Sequence, residues 1–204
     1  MKSKRKSILI ISYQFCPRGG VGTRRWSKFA KYLNEDYDVH VISAKYPYKD
    51  KINFCDDVKD VNIHRVSSMY PMYALNPKRT FFSKVLTRFL ENTFYYIDYA
   101  QKWEKPLLKK AKEIVTANNI DTVIVTGAPF SPMFFITKIK ESYPSIKLIV
   151  DYRDPWNSIK SFGFLFGRYK RAVSNKMEKI VQEKADKIIY TTNDLKIKYV
   201  KLFP

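Results

Sequence analysis

The chain has 204 residues and a mass of 24.1 kDa, with 45% hydrophobic, 16% aromatic and 28% charged residues. A chain of that length hides roughly 70% of the surface it exposes when unfolded, which excludes a disordered protein and one that needs a disulfide or metal staple to fold. Lys and Arg number 38 against 19 Asp and Glu, a net charge of +19 with a pI near 9.8; an acidic partner is expected, and nucleic acid, anionic lipid headgroups and phosphorylated substrates all satisfy it.

In chain order, Lys2, Lys4, Arg5 and Lys6 form a basic tail over residues 1–6. The apolar run Ile8-Leu9-Ile10-Ile11 is too short for a signal sequence and breaks at Ser12-Tyr13-Gln14 without a small-residue cleavage site. It predicts a buried strand over 7–13. A glycine loop follows, then a helix over 21–34 with Trp26, Phe29, Ala30 and Leu33 on one face. Residues 37–44 and 61–67 read as further strands. From 69 to 101, prolines, basic residues and many aromatics surround one predicted helix, and no topology follows from the pattern. Trp103, Leu107, Ala111, Ile114 and Val115 share a helical face, and a strand over 121–127 ends at Gly127. Ser131 and Pro132 open a helix to Ser142, as N-cap and first-turn proline. Residues 147–151 have the continuous apolar character of a strand buried on both faces. A basic helix over 168–185, a strand over 187–191 and a short helix over 194–202 complete the order. Strands alternating with helices predict one α/β domain, a Rossmann-like doubly wound parallel sheet with its ligand crevice at the carboxyl ends of the strands.

No run approaches the eighteen or so apolar residues of a spanning helix, so membrane contact is expected to be peripheral. Cys16 and Cys55 lie far apart in sequence without C-x-x-C spacing, so neither a zinc site nor a disulfide framework is indicated and a reducing, cytoplasmic interior fits best. His40 and His64 fall in separate predicted strands with no carboxylate or second histidine at metal spacing, and are expected to be structural. No metal, no cofactor, and no Ser-His-Asp or Cys-His arrangement is expected. Asp98 and Trp103 carry no assigned chemistry, Trp103 fitting the core face of its helix.

Four sites fall just after strands. Gly19, Gly20 and Gly22 let backbone approach a ligand closely, the helix N-terminus behind them offers free N–H groups, and Arg24 and Arg25 add donors. A nucleotide-hydrolase loop would need Lys then Ser or Thr after the last glycine, where this chain has Thr23 and Arg24. Asp151-Tyr152-Arg153-Asp154-Pro155-Trp156 places two carboxylates around an arginine, which should face a crevice, pair with one another or bind a ligand, because burying them unpaired is costly. Thr126-Gly127-Ala128-Pro129-Phe130-Ser131 is a small-residue turn beside the crevice or a helix cap. Thr191-Thr192-Asn193-Asp194 reads as a helix N-cap.

Together, Tyr13-Gln14-Phe15-Cys16-Pro17, the loop from Gly19 to Trp26, Thr126-Gly127-Ala128-Pro129 and Asp151-Tyr152-Arg153-Asp154-Pro155-Trp156 resemble the amino-terminal domain of family 4 glycosyltransferases with the GT-B fold. The resemblance covers nearly the whole chain except residues 69–101. It implies an acceptor-side half of a retaining enzyme that moves a sugar from a nucleotide-diphosphate sugar donor to a glycan or lipid-linked acceptor in bacterial surface polysaccharide synthesis, without metal. It places Gly19, Gly20 and Gly22 at the cleft near the donor diphosphate and acceptor, Arg24 as an anionic contact, Gly127 in the substrate-binding turn, and Asp151, Arg153 and Asp154 in the loop that contacts the reacting sugar. Many relatives carry His-Asp there, and Arg153-Asp154 departs from that pattern.

Relatives continue with a linker and a donor domain, none of which follows Pro204, so the 204 residues are expected to be inactive alone. The basic aromatic stretch Lys78, Arg79, Phe81, Phe82, Lys84, Arg88 and Phe89 suits peripheral attachment to an anionic membrane surface, here the inner face; a solvated basic face over core aromatics is the alternative. A non-catalytic carbohydrate-binding or scaffold domain, a degenerate nucleotide hydrolase and a basic nucleic-acid-binding domain remain as other readings, although no nucleic-acid module is recognisable.

Overall fold

Every residue of the first strand, β1 (Ser7–Ser12), is buried, so both of its faces must be covered and both of its edges paired. A computed structural model describes residues 5–71, 80–95, 97–156 and 167–203, and all side chains among them except those of residues 88, 90–92 and 94. The remaining strands are β2 (Asp38–Ala44), β3 (Asn62–Val66), β4 (Thr122–Thr126), β5 (Lys147–Tyr152) and β6 (Lys187–Tyr190). They form one six-stranded sheet in the order β3-β2-β1-β4-β5-β6, with every adjacent pair parallel. This is the expected Rossmann-like doubly wound order, which reverses between β1 and β4 and opens a crevice at their carboxyl ends.

The helices are α1 (Val21–Asp36), α2 (Phe81–Phe94), α3 (Glu104–Asn118), α4 (Ser131–Ser142), α5 (Gly167–Lys184) and α6 (Asn193–Leu202). Strand alternation divides the core between two faces. Ile8, Ile10, Val39 and Val41 pack with Trp26 and Ala30 of α1. Leu9, Ile11, Val123 and Val125 pack with Leu107 and Ala111 of α3 and with Met133 and Ile136 of α4. Trp103 is fully buried, as its periodicity predicts.

The caps differ from expectation at one end and agree at another. Thr192 accepts from the Leu195 N–H at 3.2 Å and caps α6. Ser131 does not cap α4, because its hydroxyl and backbone N–H both donate to Asp98, as does the N–H of Phe130. A carboxylate more than thirty residues upstream thus replaces the local cap and neutralises the positive end of the helix.

Within the stretch from 69 to 101, α2 leaves Phe81, Phe82, Val85, Leu86 and Phe89 exposed. Lys78 and Arg79, like Lys2 and Lys4 of the tail, lie outside the described residues. Among the described residues, no helix is long and apolar enough to cross a membrane.

Candidate functional site

The first glycine loop leaves β1 and turns into α1. Gly19 donates its N–H to Asp50 Oδ2 at 2.8 Å, and a Cβ there would lie 2.1 Å from the carbonyl oxygen of Ile52. The segment after β2 therefore closes on the loop, anchored also by Asp50 N–H to the Pro17 carbonyl at 3.0 Å. Gly20, at φ 116°, adopts a backbone that disfavours other residues and has open space where a Cβ would be. It is the N-cap of α1 but offers no side chain, and the first turn of α1 holds no acidic residue. A Cβ on Gly22 would lie 2.3 Å from Arg153 Nη1. The sequence predicts close approach at these glycines, and at Gly19 and Gly22 the group that approaches belongs to the protein itself.

Asp151, next to last in β5, has no exposed surface. Its Oδ2 accepts from Arg25 Nη1 at 2.8 Å, Trp26 Nε1 at 2.9 Å and Thr126 Oγ1 at 2.9 Å. One carboxylate oxygen thus ties α1, β4 and β5 together beneath the glycine loop, while Oδ1 is buried without a hydrogen-bond partner. Asp151 forms the floor of the crevice and positions the groups around it.

Arg153 and Asp154 stand above that floor. Asp154 Oδ2 is held by Arg153 Nε and Nη2, each at 2.7 Å, and the side chains are 29% and 49% exposed respectively. The backbone of Arg153 is fixed by Thr191 Oγ1 donating to its carbonyl at 2.9 Å. Of the options for two carboxylates around an arginine, the molecule uses different ones for each: Asp151 pairs with Arg25, Asp154 with Arg153. Ser12, Gln14, Gly22, Trp26, Thr126, Gly127, Ala128 and Arg153 line a narrow crevice here. At Gly127 a Cβ would come within 2.5 Å of the Phe130 ring. Arg24 is exposed on α1 and stands apart from the crevice lining.

Several contacts were not anticipated. Arg25 and Trp26 are direct partners of Asp151, although 125 or more residues separate them. His40 Nδ1 and His64 Nε2 are 3.2 Å apart with their rings stacked, and His40 Nε2 is 3.2 Å from Asp38 Oδ2. The expectation that no carboxylate or second histidine lies nearby is therefore corrected: parallel pairing of β2 with β3 brings the two rings together. Burial, with His40 and Lys110 nearby, holds the His64 imidazole below its ordinary value. No group of three or more metal-ligating side chains occurs among the described residues. Cys16 and Cys55 also meet; both thiols are free, and burial followed by the neighbouring Cys16 pushes Cys55 up to about 11. Signals for these pairings exist only once the strand order is known.

No protein-family model matches the chain, and no curated protein matches it. Among solved structures it is similar to sucrose-phosphate synthase from Thermosynechococcus elongatus at 12% identity and a TM-score of 0.60, over 97% of this chain and 45% of that one. It also matches a UDP-glucose: anthocyanidin 3-O-glucosyltransferase in complex with UDP, at 9% identity and 0.49, over 98% and 51%. A spinosyn rhamnosyltransferase complexed with thymidine diphosphate matches at 7% identity and 0.42, over 91% and 44%. The chain spans about half the length of each. The first of these likenesses shows the fold: the chain has the Rossmann-like α/β architecture found in about half of a sucrose-phosphate synthase.

Proposed function

We propose that these residues form the acceptor-side half of a retaining glycosyltransferase of family 4 type with the GT-B fold. The enzyme moves a sugar from a nucleotide-diphosphate sugar to a glycan or lipid-linked acceptor, in bacterial surface polysaccharide synthesis. The observation that carries this reading is the meeting of Gly22, Gly127 and Arg153 at the carboxyl ends of β1, β4 and β5, in a chain whose fold matches half of sucrose-phosphate synthase over 97% of its length.

The residues divide the work by depth. Asp151 is a positioning residue that holds Arg25, Trp26 and Thr126 below the crevice. Arg153 and Asp154, partly exposed and paired, among the described residues, only with each other, contact the reacting sugar, and Arg153 swings from the first turn of α1 to admit it. That movement frees the uncapped helix N-terminus at Gly20 and Gly22 for an anionic group of the donor, while Gly19 holds the loop in place and Arg24 attracts the charged substrate from the rim. A second wall carrying the donor completes the cleft, excludes water and aligns donor with acceptor.

The exposed face of α2, with Lys84 beside Phe81, Phe82, Val85, Leu86 and Phe89, attaches the enzyme peripherally to an anionic bilayer on the cytoplasmic side. Anionic vesicles should sediment the chain and salt should release it; equal affinity for neutral vesicles would overturn the attachment.

The test of the catalytic reading is nucleotide-sugar transfer by a two-domain enzyme containing these residues. Arg153→Ala should reduce kcat by about a hundredfold with the fold intact, the scale expected for lost alignment at the reacting centre. The 204 residues alone should show no turnover. Unimpaired transfer by the Arg153→Ala, Asp154→Asn double variant would remove the site, and turnover by the 204 residues alone would remove the half-enzyme assignment.

A further inference from the structure

We infer that Arg18 and the tyrosines around it form a seat for an oxyanion, a phosphate or carboxylate group, carried by the acceptor. Assigning the seat to the acceptor rests on the glycosyltransferase reading; the seat itself rests on the following geometry.

Arg18 lies in the loop between β1 and α1. Its guanidinium carbon is 5.5 Å from the centre of the Tyr46 ring, and the hydroxyls of Tyr46, Tyr99 and Tyr48 act on its charge, that of Tyr46 also as a hydrogen-bond partner. Among the described residues, no carboxylate lies within ion-pair distance of it. Its Nη1 is nevertheless buried and has no hydrogen-bond partner, and the Tyr48 hydroxyl is buried and unpartnered in the same way. A guanidinium nitrogen buried without a counter-ion or acceptor is costly unless something supplies the missing partner.

The surrounding hydroxyls cannot supply a negative charge. Burial raises Tyr46 and Tyr99 well above the ordinary phenol range, so both stay protonated and neutral. Tyr46 spends its proton on the Tyr13 carbonyl at 3.3 Å. Tyr99 Oη already accepts from Gln14 Nε2 at 2.5 Å, which leaves its own proton available. Arg18 and Tyr48 therefore add two unused donors beside Tyr99, in a cluster walled by the Tyr13 ring, which meets Tyr99 edge-on at 5.4 Å and Tyr46 at 6.5 Å. One positive charge with unused donors beside it is the complement of an oxyanion, and an arginine fork beside hydroxyls suits phosphate or carboxylate.

The position is as informative as the chemistry. Gln14 touches Tyr99 and also lines the crevice beside Arg153. A ligand group held at Arg18 thus lies next to the place where the sugar would react, on the side away from β5.

Titration calorimetry of the 204-residue chain decides the matter without donor or turnover, with inorganic phosphate, glucuronate and glucose as probes. Phosphate or glucuronate should bind saturably at one site and glucose should not; the tighter of the two names the anion. Arg18→Gln should weaken that binding at least tenfold, Tyr48→Phe a few-fold, and Lys112→Gln, on the exposed face of α3, not at all. Arg18→Lys, which keeps the charge, guards against misfolding of the glutamine variant and should bind with intermediate affinity. Absence of saturable anion binding to the wild-type chain, or equal binding by wild type and a folded Arg18→Gln variant, would overturn the seat. Anion binding through Arg18 in a protein that transfers no sugar would leave the seat standing and remove only the acceptor assignment.

Discussion

Asp151, in β5, and Asp154, just beyond its end, are three residues apart, yet they live in opposite physical regimes. Asp151 is enclosed and takes three donors on a single oxygen from two other elements. Asp154 is half exposed and, among the described residues, bound only to its neighbour Arg153. Removing one partner of a buried charged network leaves the others desolvated and unpaired, whereas an exposed ion pair exchanges easily with water. Equal formal charge at the end of one strand therefore means architecture in one case and availability for chemistry in the other.

The largest effect should come from breaking the buried member. Asp151→Ala strands the Trp26 indole N–H and the Thr126 hydroxyl and should cost about 3–5 kcal/mol, a fall in melting temperature of about 10 °C for a chain of this size. Thermal unfolding beside wild type checks it; a change under 2 °C would erase the contrast drawn here.

Next in size is Gly19→Ala. Its new methyl would meet the Ile52 carbonyl, which is backbone and cannot step aside, and overpacking of this kind costs about 1–3 kcal/mol. Gly22→Ala should cost less, because the group in its way is the end of the Arg153 side chain. Denaturant midpoints of the two variants should fall in that order, and the reverse order would mean that Arg153 is held more rigidly than its exposure implies.

Asp154→Asn sharpens the other half of the comparison. With Arg153 29% exposed, loss of the pair should change stability by less than about 1 kcal/mol while reducing transfer in the two-domain enzyme. A large drop in melting temperature with transfer per folded molecule intact would place Asp154 with Asp151.

The smallest effect lies away from both, at the stacked histidines. His64 is held below its ordinary value, so the unfolded chain takes up a proton first as pH falls below about 6.5. Its contribution is complete above that pH and lost as pH falls through the lowered folded value. Lys110 and His40 face it and Asp38 lies on the far side of His40. His64→Gln should flatten the dependence of melting temperature on pH below about 6.5; an unchanged slope would assign that dependence elsewhere.

The elements were legible because their signals are local. Apolar runs at residues 8–11 and 148–150 mark strands whose ends lie within two residues of those expected, and Trp26, Ala30 and Leu33 identify the inner face of α1, although Phe29, expected with them, is exposed. The glycine loop and the Asp151–Trp156 segment were legible as strand-end sites for the same reason. What each residue of the site touches was not. The meeting of Asp151 with Arg25, of Asp98 with Ser131 and of Asp50 with Gly19 depends on which strands become neighbours. No local pattern states that β4 lies beside β1, so a carboxylate expected to face the crevice could not be told from one that forms its floor.

The place of β1 between β2 and β4 has a consequence for how the protein is made. β2 emerges from the ribosome soon after β1, but the partner for the other edge of β1 follows more than a hundred residues later, with Ser12 opposite Thr126. Until then the nascent chain carries an apolar strand edge of the kind that recruits other chains. Pairings so distant in sequence also form slowly. High-level synthesis should therefore lose material to aggregation before β4 is complete, and slower translation or chaperone capture of that interval should recover it.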